Sequence, residues 1–226
     1  MDDRRAARWS TAEAVAGFAG SPPNSTLMAL ARAELARVPG GRALDIGCGA
    51  ARNAAPLAEQ GWRVLGVDLA LPMLAGARRR PAAVAPGRLR LAQSRMDALP
   101  VPSQRFDLLV AHGIWNLARS SEEMRRGMAE AARAAAPGAA LFVFTFSRHT
   151  LPPDARPVPG ERVVFTDFAG EPQCFLTADE LLAELGAHGF VPEPSLPLRE
   201  LNRPAAPALR RGGPPVILEA AFRFTG

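Results

Sequence analysis

The strongest constraint on the fold of this chain is a glycine turn that stands between a short apolar run and a helical pattern. The run from Arg42 to Ile46 leads into Gly47-Cys48-Gly49, and an Ala- and Leu-rich helical pattern then continues to Gln60 and closes at Gly61. Glycines allow a tight turn and a close approach to a ligand, and the following helix points its free amides at the same place. This order predicts the first βα unit of a parallel sheet.

The alternation of strand and helix patterns continues through the first two-thirds of the chain. Further strands are predicted at 62–67, 88–92, 106–111 and 140–147, and helices at 25–38, 71–80 and 121–136. We therefore predict an α/β fold: a Rossmann-like, seven-stranded, mostly parallel doubly wound sheet with helices on both faces.

The rhythm changes after residue 147. Segment 148–160 carries four prolines, which predicts a loop, and Thr177 with Glu180 forms a capping box that opens a helix to His188. Residues from 190 onward and 216–224 are predicted to form a C-terminal antiparallel strand pair.

Charge and cysteine content limit the classes of function. The formal charge is +5, and all 27 basic residues are Arg because the sequence has no Lys; it also has no Tyr. The groups that titrate near pH 10 are thus absent, and the high sequence pI of about 10.9 overstates the basicity. Two cysteines exclude a disulfide framework and a four-Cys zinc site, and no metal is predicted.

The N-terminal segment and the longest apolar stretch indicate where in the cell the protein is expected. The charged segment 1–8 is not followed by the apolar stretch that a signal peptide contains. The longest apolar stretch, near 134–146, is too short to span a bilayer. We expect a cytoplasmic protein with no membrane partner.

An acidic residue follows the second predicted strand, 21 residues after the first turn glycine. A carboxylate there, Asp68, can accept hydrogen bonds from both hydroxyls of a ribose. Arg52 occupies the position where a nicotinamide site needs a small residue, and Asp45 would repel a pyrophosphate. A cationic adenosine ligand, S-adenosylmethionine, tolerates this acidic turn.

These residues resemble the motifs of the class I S-adenosylmethionine-dependent methyltransferases over roughly residues 40–200. The first motif is matched by Asp45, Gly47 and Gly49, with Ala51 in place of a third glycine at an expected helix start. The second motif is matched by Asp68, Met73 and Leu74, with Ala70 in place of a capping Ser. Further matches are Met96-Asp97, Phe106-Asp107, Pro137-Gly138, Phe175 to Leu181, and Gly189-Phe190.

The resemblance implies S-adenosyl-L-methionine as the cofactor and S-adenosyl-L-homocysteine as its product. The residues expected to bind the cofactor are Asp45, Gly47, Cys48, Gly49, Asn53, Asp68, Leu69, Met73, Met96, Asp97 and His112. Asn53 is equally consistent with a helix cap, Met73 is better explained as core packing beneath the adenosine, and Asp97 is also consistent with an ordinary turn residue.

Methyl transfer from a sulfonium is an in-line displacement that needs a base only if the acceptor must lose a proton. His112 is the candidate base, although contact with the cofactor through its backbone is the favoured interpretation. Candidate acceptor ligands are Trp9, Trp115, Asn116 and His149. For the two tryptophans a core position is the commoner explanation, and for His149 a plain surface position is equally consistent.

The sequence predicts an N-terminal helical lid at 1–38 and a methyltransferase domain at 39–226, with an acceptor loop at 148–160. A small-molecule acceptor is favoured. A nucleic acid is disfavoured because no aromatic residues interleave the clusters Arg78-Arg79-Arg80 and Arg210-Arg211. An RNA-modifying enzyme and a non-catalytic cofactor-binding protein remain the alternatives, and either a monomer or a homodimer is expected.

Overall fold

A computed structural model describes residue 7 and residues 9–80, 85–203 and 214–226. The cluster Arg210-Arg211 and most of segment 1–8 lie outside the described residues. The helices are α1 (Ala12–Gly20), α2 (Ser25–Arg37), α3 (Ala54–Gln60), α4 (Leu71–Arg79), α5 (Ser121–Ala134) and α6 (Ala178–Gly186). The strands are β1 (Arg42–Ile46), β2 (Arg63–Asp68), β3 (Leu89–Gln93), β4 (Phe106–His112), β5 (Ala135–Phe146), β6 (Val164–Phe165), β7 (Gln173–Cys174), β8 (Phe190–Pro192), β9 (Arg199–Leu201) and β10 (Ile217–Phe224).

One eight-stranded sheet forms the centre of the molecule, in the order β3-β2-β1-β4-β5-β10-β8, with β9 also paired to β10. Strands β1 to β5 are parallel, and β10 is antiparallel to β5, β8 and β9. The predicted Rossmann-like fold with C-terminal antiparallel strands is confirmed, and the short β9 is an additional strand. β6 and β7 form a separate antiparallel hairpin.

Both faces of the sheet are apolar, and each is covered by helices. Along β4, Leu109 and Ala111 belong to the core that includes Met124 of α5 and Leu181 of α6. Leu108 and Val110 face the other way, into the core formed with α2 and α3. This alternation follows the two-residue period of a strand and produces the doubly wound architecture.

Helix α1 packs closely on α4 at the edge of the molecule. A Cβ atom at Gly76 of α4 would lie 2.6 Å from Val15 of α1, so a larger residue there would separate the two helices. Val15 and Met73 share a small apolar cluster, which Trp9 and Phe18 join. This packing holds the N-terminal segment beside the carboxyl ends of the first strands.

The predicted boundary between α5 and β5 is wrong. Helix α5 ends at Ala134, and β5 begins at once with Ala135 paired to Phe106, so Pro137-Gly138 lies within the strand and does not precede it. The β4–β5 register shifts at this point, and such a bulge accommodates a proline that cannot donate to the ladder. No helix in the described part of the chain is long and apolar enough to cross a membrane.

Candidate functional site

A cavity of about 530 Å³ lies at the carboxyl ends of the parallel strands. It is lined by Gly47 and Gly49 after β1 and by segments 68–70, 94–97 and 112–114, which lie at or just after the ends of β2, β3 and β4. Ligands of open α/β sheets bind at this edge. The structure therefore brings the predicted glycine turn, Asp68 and Asp97 to one cavity.

The turn after β1 requires a glycine at its first position. Gly47 has φ +74°, and a Cβ atom there would lie 2.7 Å from Ile114. The backbone amides of Gly47 and Cys48 both donate to the carbonyl of Val67, at 2.8 and 2.9 Å, which fixes the turn on β2.

The turn is longer than the sequence predicts. Ala51 is not at a helix start: it has φ +59°, and α3 begins three residues later, at Ala54. A left-handed conformation costs a non-glycine residue about 1–2 kcal/mol. Ala51, at the third position of the glycine motif, thus has a strained backbone conformation within the turn.

The Asp68 carboxylate is fixed between two turns at the cavity wall. Oδ2 accepts a hydrogen bond from the amide of Gly49, and Oδ1 accepts one from the amide of Ala70, both at 2.8 Å. Burial raises the pKa of Asp68 above its usual value. Each carboxylate oxygen keeps a further lone pair for a ligand hydroxyl.

Asp45 lies beneath the turn and does not line the cavity. It is 2% exposed, and its Oδ2 receives no hydrogen bond from the residues that the structure describes. Burial and the nearby charge of Asp68 raise the pKa of Asp45 to about 7. The positive charge of Arg52 partly offsets this increase. Any influence on a ligand in the cavity is therefore electrostatic.

His112 lines the cavity as a neutral imidazole. Its ring stacks on Phe144 with a centroid separation of 4.1 Å, and Nη2 of Arg52 lies 3.0 Å from Nδ1. Burial, together with the Arg52 charge, lowers the pKa of His112 to about 3. A general base works best with a pKa near the operating pH, so this environment argues against that role.

Two predicted cofactor residues have other side-chain contacts. Asn53 makes no cap hydrogen bond to α3; its Oδ1 accepts from the amide of Asn24 at 3.0 Å and ties the start of α2 to the turn. The Cys48 side chain is buried over Gly66 of β2, and burial raises the pKa of its thiol. Neither residue lines the cavity.

The residues after β3 form one side of the cavity. Met96 and Asp97 line it, as do Leu69 and Met73 from the segment after β2. The Asp97 carboxylate accepts hydrogen bonds from Arg95 at 2.8 and 2.9 Å, and it lies 3.3 Å from Nη2 of Arg126. These guanidinium groups, Arg95 first, hold the pKa of Asp97 below its usual value.

The N-terminal segment contributes an aromatic wall. Trp9 and Phe18 both line the cavity, and their rings meet edge to face with centroids 5.7 Å apart. A Cβ atom at Gly49 would lie 3.7 Å from Phe18, so this ring lies directly beside the glycine turn. Trp9 is the only one of the four predicted acceptor ligands that lines the cavity.

The other three candidate acceptor ligands lie elsewhere in the described structure. Trp115 is 1% exposed and packs against Gly127 of α5, which agrees with the core interpretation, and Asn116 is also buried. His149 is exposed, as expected for a surface histidine, and its Nδ1 lies 2.7 Å from Oε1 of Glu200.

The predicted acceptor loop at 148–160 does not line the cavity either. The Arg148 guanidinium donates to the carbonyls of Pro152 and Ala155, both at 3.0 Å, and stacks over Phe165. These bonds fold the loop back on itself and against β6, whose Phe165 pairs with the cavity-lining Gln173 of β7.

Sequence reasoning missed this far wall, which consists of Arg119, Glu123, Glu171, Pro172 and Gln173. Nη2 of Arg119 lies 3.7 Å from Glu171, and Nη2 of Arg95 lies 3.5 Å from Glu123. Gln173 is 5% exposed, and its Oε1 has no hydrogen-bond partner within the described ranges. No motif marks these residues, because the two-residue strand β7 leaves no periodic pattern.

Comparison with known proteins gives a family match and several curated relatives. Residues 43–138 match the family model described as a methyltransferase domain. A demethylmenaquinone methyltransferase of Renibacterium salmoninarum is 32% identical over 133 residues, which cover 58% of this chain and 49% of that protein. The chain thus spans about half the length of this curated relative.

Solved structures show the same fold. An S-adenosylmethionine-dependent methyltransferase from Mesorhizobium loti has a TM-score of 0.64 at 24% identity, covering 86% of this chain and 96% of that chain. A 1,6-didemethyltoxoflavin-N1-methyltransferase from Burkholderia thailandensis, with 1,6-didemethyltoxoflavin and S-adenosylhomocysteine bound, has a TM-score of 0.60 at 23% identity, covering 90% and 80%.

Proposed function

Since the chain belongs to the class I S-adenosylmethionine-dependent methyltransferases, we propose that it transfers a methyl group from S-adenosylmethionine to a small-molecule acceptor. The observation that carries the proposal is the size of the cavity and its lining by two distant parts of the chain. Trp9 and Phe18 line one side and residues 171–173 another, around a volume of about 530 Å³. This volume is typical of small-ligand sites.

The residues present fit the cofactor. The Asp68 carboxylate, fixed by two backbone amides, would accept the ribose hydroxyls, and Met96 and Asp97 would meet the adenine. The turn at Gly47 permits close approach of the methionine part, and Leu69 and Met73 would pack on the adenosine. When bound, S-adenosylmethionine supplies a methyl group on a sulfonium that is already activated for transfer.

The contribution of the chain is positioning and exclusion of water rather than proton abstraction. The walls around the cavity would hold the acceptor in line with the methyl group and shield both from solvent. His112, neutral and beside Arg52, contributes an apolar, stacked surface to this cavity. We assign it a positioning role and no base role.

The test of the cofactor assignment is calorimetry with S-adenosylmethionine and S-adenosylhomocysteine. We expect Asp68→Ala to raise the Kd by at least ~100-fold, because each hydrogen bond to a charged group is worth roughly 1.5–3 kcal/mol. Asp107→Ala is the matched control, since Oδ2 of Asp107 accepts the amide of Arg42 at 2.8 Å at the opposite end of β1. Unchanged affinity of Asp68→Ala would place the ribose elsewhere.

The test of the reaction is a screen with methyl-labelled cofactor against small molecules that carry O, N, S and C nucleophiles. Demethylmenaquinone is included because of the relative's name, and structured RNA is the comparison substrate. Label transfer to RNA but to no small molecule would overturn the acceptor assignment. Cofactor binding without transfer to any acceptor would favour a non-catalytic binding protein.

A further inference from the structure

The geometry points to Gln173 as a residue that binds the methyl acceptor, by accepting a hydrogen bond from an N–H or O–H group of a neutral or cationic small molecule. This inference rests on the proposed function and names the chemical class of its substrate. It is carried by an unsatisfied buried amide and by the charge of the cavity wall.

The Gln173 amide is buried without being satisfied. Five buried side-chain polar atoms in the described part of the chain lack a partner, on Asp45, Gln60, Trp115, Asn116 and Gln173. Of these residues, Gln173 alone lines the cavity. An unmade hydrogen bond at a buried polar group destabilises the free protein, so a ligand that completes it binds with a corresponding gain.

The position of Gln173 is fixed while its amide can turn. Gln173 pairs with Phe165 across the hairpin, and the Sγ of its neighbour Cys174 donates to the carbonyl of Ala118 at 3.5 Å. The terminal torsion of a glutamine has a broad energy minimum, so Oε1 can face a bound molecule without movement of the strand.

The far wall adjoins the residues assigned to the cofactor at Glu123, which pairs with Arg95, but it is built from other elements. The cofactor residues follow β1, β2 and β3, whereas the residues beside Gln173 follow β4 or precede β7. A molecule between Ile114, Leu117 and Gln173 would lie on apolar surface with one polar contact at its edge.

The charge of the lining residues excludes anions from this class. Four carboxylates (Asp68, Asp97, Glu123 and Glu171) and two guanidinium groups (Arg95 and Arg119) line the described cavity, and Arg126 lies 3.3 Å from Asp97 just outside this lining, which leaves an excess of one negative charge. Both guanidinium groups already face carboxylates, Arg95 at Asp97 and Arg119 at Glu171. His112 adds no positive charge at neutral pH, so an anionic acceptor would be repelled.

The experiment measures fragment binding to protein saturated with S-adenosylhomocysteine, by ligand-observed NMR. The probes are 2-naphthol, indole and 4-quinolone, each paired with its O- or N-methyl derivative, and 2-naphthoate as the anion. We expect wild-type protein to prefer at least one hydrogen-bond donor over its methyl derivative by about tenfold, and to bind 2-naphthoate more weakly than 2-naphthol.

The variant Gln173→Leu should lose the preference, so that the two members of the pair bind equally, while its Kd for S-adenosylhomocysteine is unchanged. Gln173→Met is the second variant if the leucine protein does not fold. Gln60→Leu is the matched control, because Gln60 also carries a buried, unpartnered Oε1 but lies away from the cavity, against Met28.

The outcomes separate the inference from the function on which it rests. Failure of the wild-type protein to bind S-adenosylhomocysteine would overturn the proposed function. Three outcomes with the cofactor product bound would overturn the assignment of Gln173 alone. The first is a preference for the donor that survives in Gln173→Leu, and the second is no such preference in the wild-type protein. The third is tighter binding of 2-naphthoate than of 2-naphthol.

Discussion

Asp45 is a buried acid in a position where its charge is costly. It lies under the glycine turn, close enough to Asp68 for the two carboxylates to repel each other, and Oδ2 finds no donor among the described residues. Its raised pKa of about 7 means that both protonation states are populated near neutral pH. A cation in the cavity above would favour the ionised form, which links this residue to a cationic ligand.

The variant Asp45→Asn tests this environment through the pH dependence of stability. Because the folded pKa of about 7 exceeds the ordinary aspartate pKa of 3.8, the unfolded chain releases the proton first, and stability falls as the pH rises between these values. Relative to wild type, Asp45→Asn should therefore gain on the order of 2–4 kcal/mol in unfolding free energy between pH 4.5 and 7.5. Urea unfolding at both pH values measures this, with Asp107→Asn as the control carboxylate. A difference that does not change with pH would contradict the prediction.

At the scale of elements, the N-terminal helices and the glycine turn form one unit. Asn24 caps α2 through its side chain, donates from Nδ2 to Glu219, and donates its backbone amide to Asn53 in the turn. Phe18 of α1 lies against the same turn. Contacts from the turn therefore hold the aromatic wall of the cavity in place.

Asn53→Ala should loosen this unit without unfolding the sheet. The amide of Asn24 would lose its acceptor, at a cost of roughly 1–3 kcal/mol, so we expect amides of residues 12–24 to exchange about tenfold faster or more. Affinity for S-adenosylhomocysteine should fall several-fold because the wall is less ordered. The measurement is hydrogen exchange by mass spectrometry, with Gln60→Ala, which frees the carbonyl of Met28 further along α2, as the control. Equal exchange in both variants would refute the role of Asn53.

The elements that the sequence predicts correctly are those with a long enough pattern. Strands β1, β2, β4 and β10 carry five to eight residues of mostly buried side chains, and the capping box at Thr177 and Glu180 marks the start of α6 as expected. The hairpin of β6 and β7 and the strand β9 have two or three residues each. Such strands are defined by tertiary pairing, so no local period reveals them.

The part of the site that can be predicted is the part whose residue types follow from local backbone geometry. Asp68 and the glycines belong to a motif because backbone geometry after a strand demands these residue types at fixed spacing. Gln173 reaches the cavity through a hairpin that is distant in sequence, and Asn53 is drawn away by Asn24. Their roles depend on contacts that only the folded chain creates.

At the scale of the whole molecule, several half-exposed arginines pair with carboxylates of neighbouring elements, which offsets their charge locally. Arg125 of α5 pairs with Glu184 of α6 at 2.7 Å, and Arg199 of β9 pairs with Glu219 of β10. Arginine suits this use because its planar, permanently charged fork binds carboxylates in pairs of hydrogen bonds. The basic composition is therefore consistent with a small-molecule enzyme.

Arg223 of β10 is the tie whose loss should cost most. Its Nη1 and Nη2 bond both oxygens of Glu34 in α2, each at 2.8 Å, and Nη1 also bonds the carbonyl of Gly138. The Glu34 side chain is 6% exposed, and removal of its main partner leaves a buried charge, so Arg223→Met should lower the unfolding free energy by ~3 kcal/mol at pH 7. Arg37→Met removes the other, 55% exposed partner of Glu34 and should cost less than about 1 kcal/mol. Replacement of both charges by apolar groups avoids the unpaired Glu34 carboxylate, whereas Glu193, which Nε of Arg223 also binds at 3.0 Å, still loses its partner; Glu34→Met should therefore recover part of the loss in the Arg223→Met background. Urea unfolding of the wild type, the two single arginine variants and the double variant measures these differences in unfolding free energy. Equal losses for Arg223→Met and Arg37→Met would show that burial of the Arg223–Glu34 ion pair does not govern its contribution to stability.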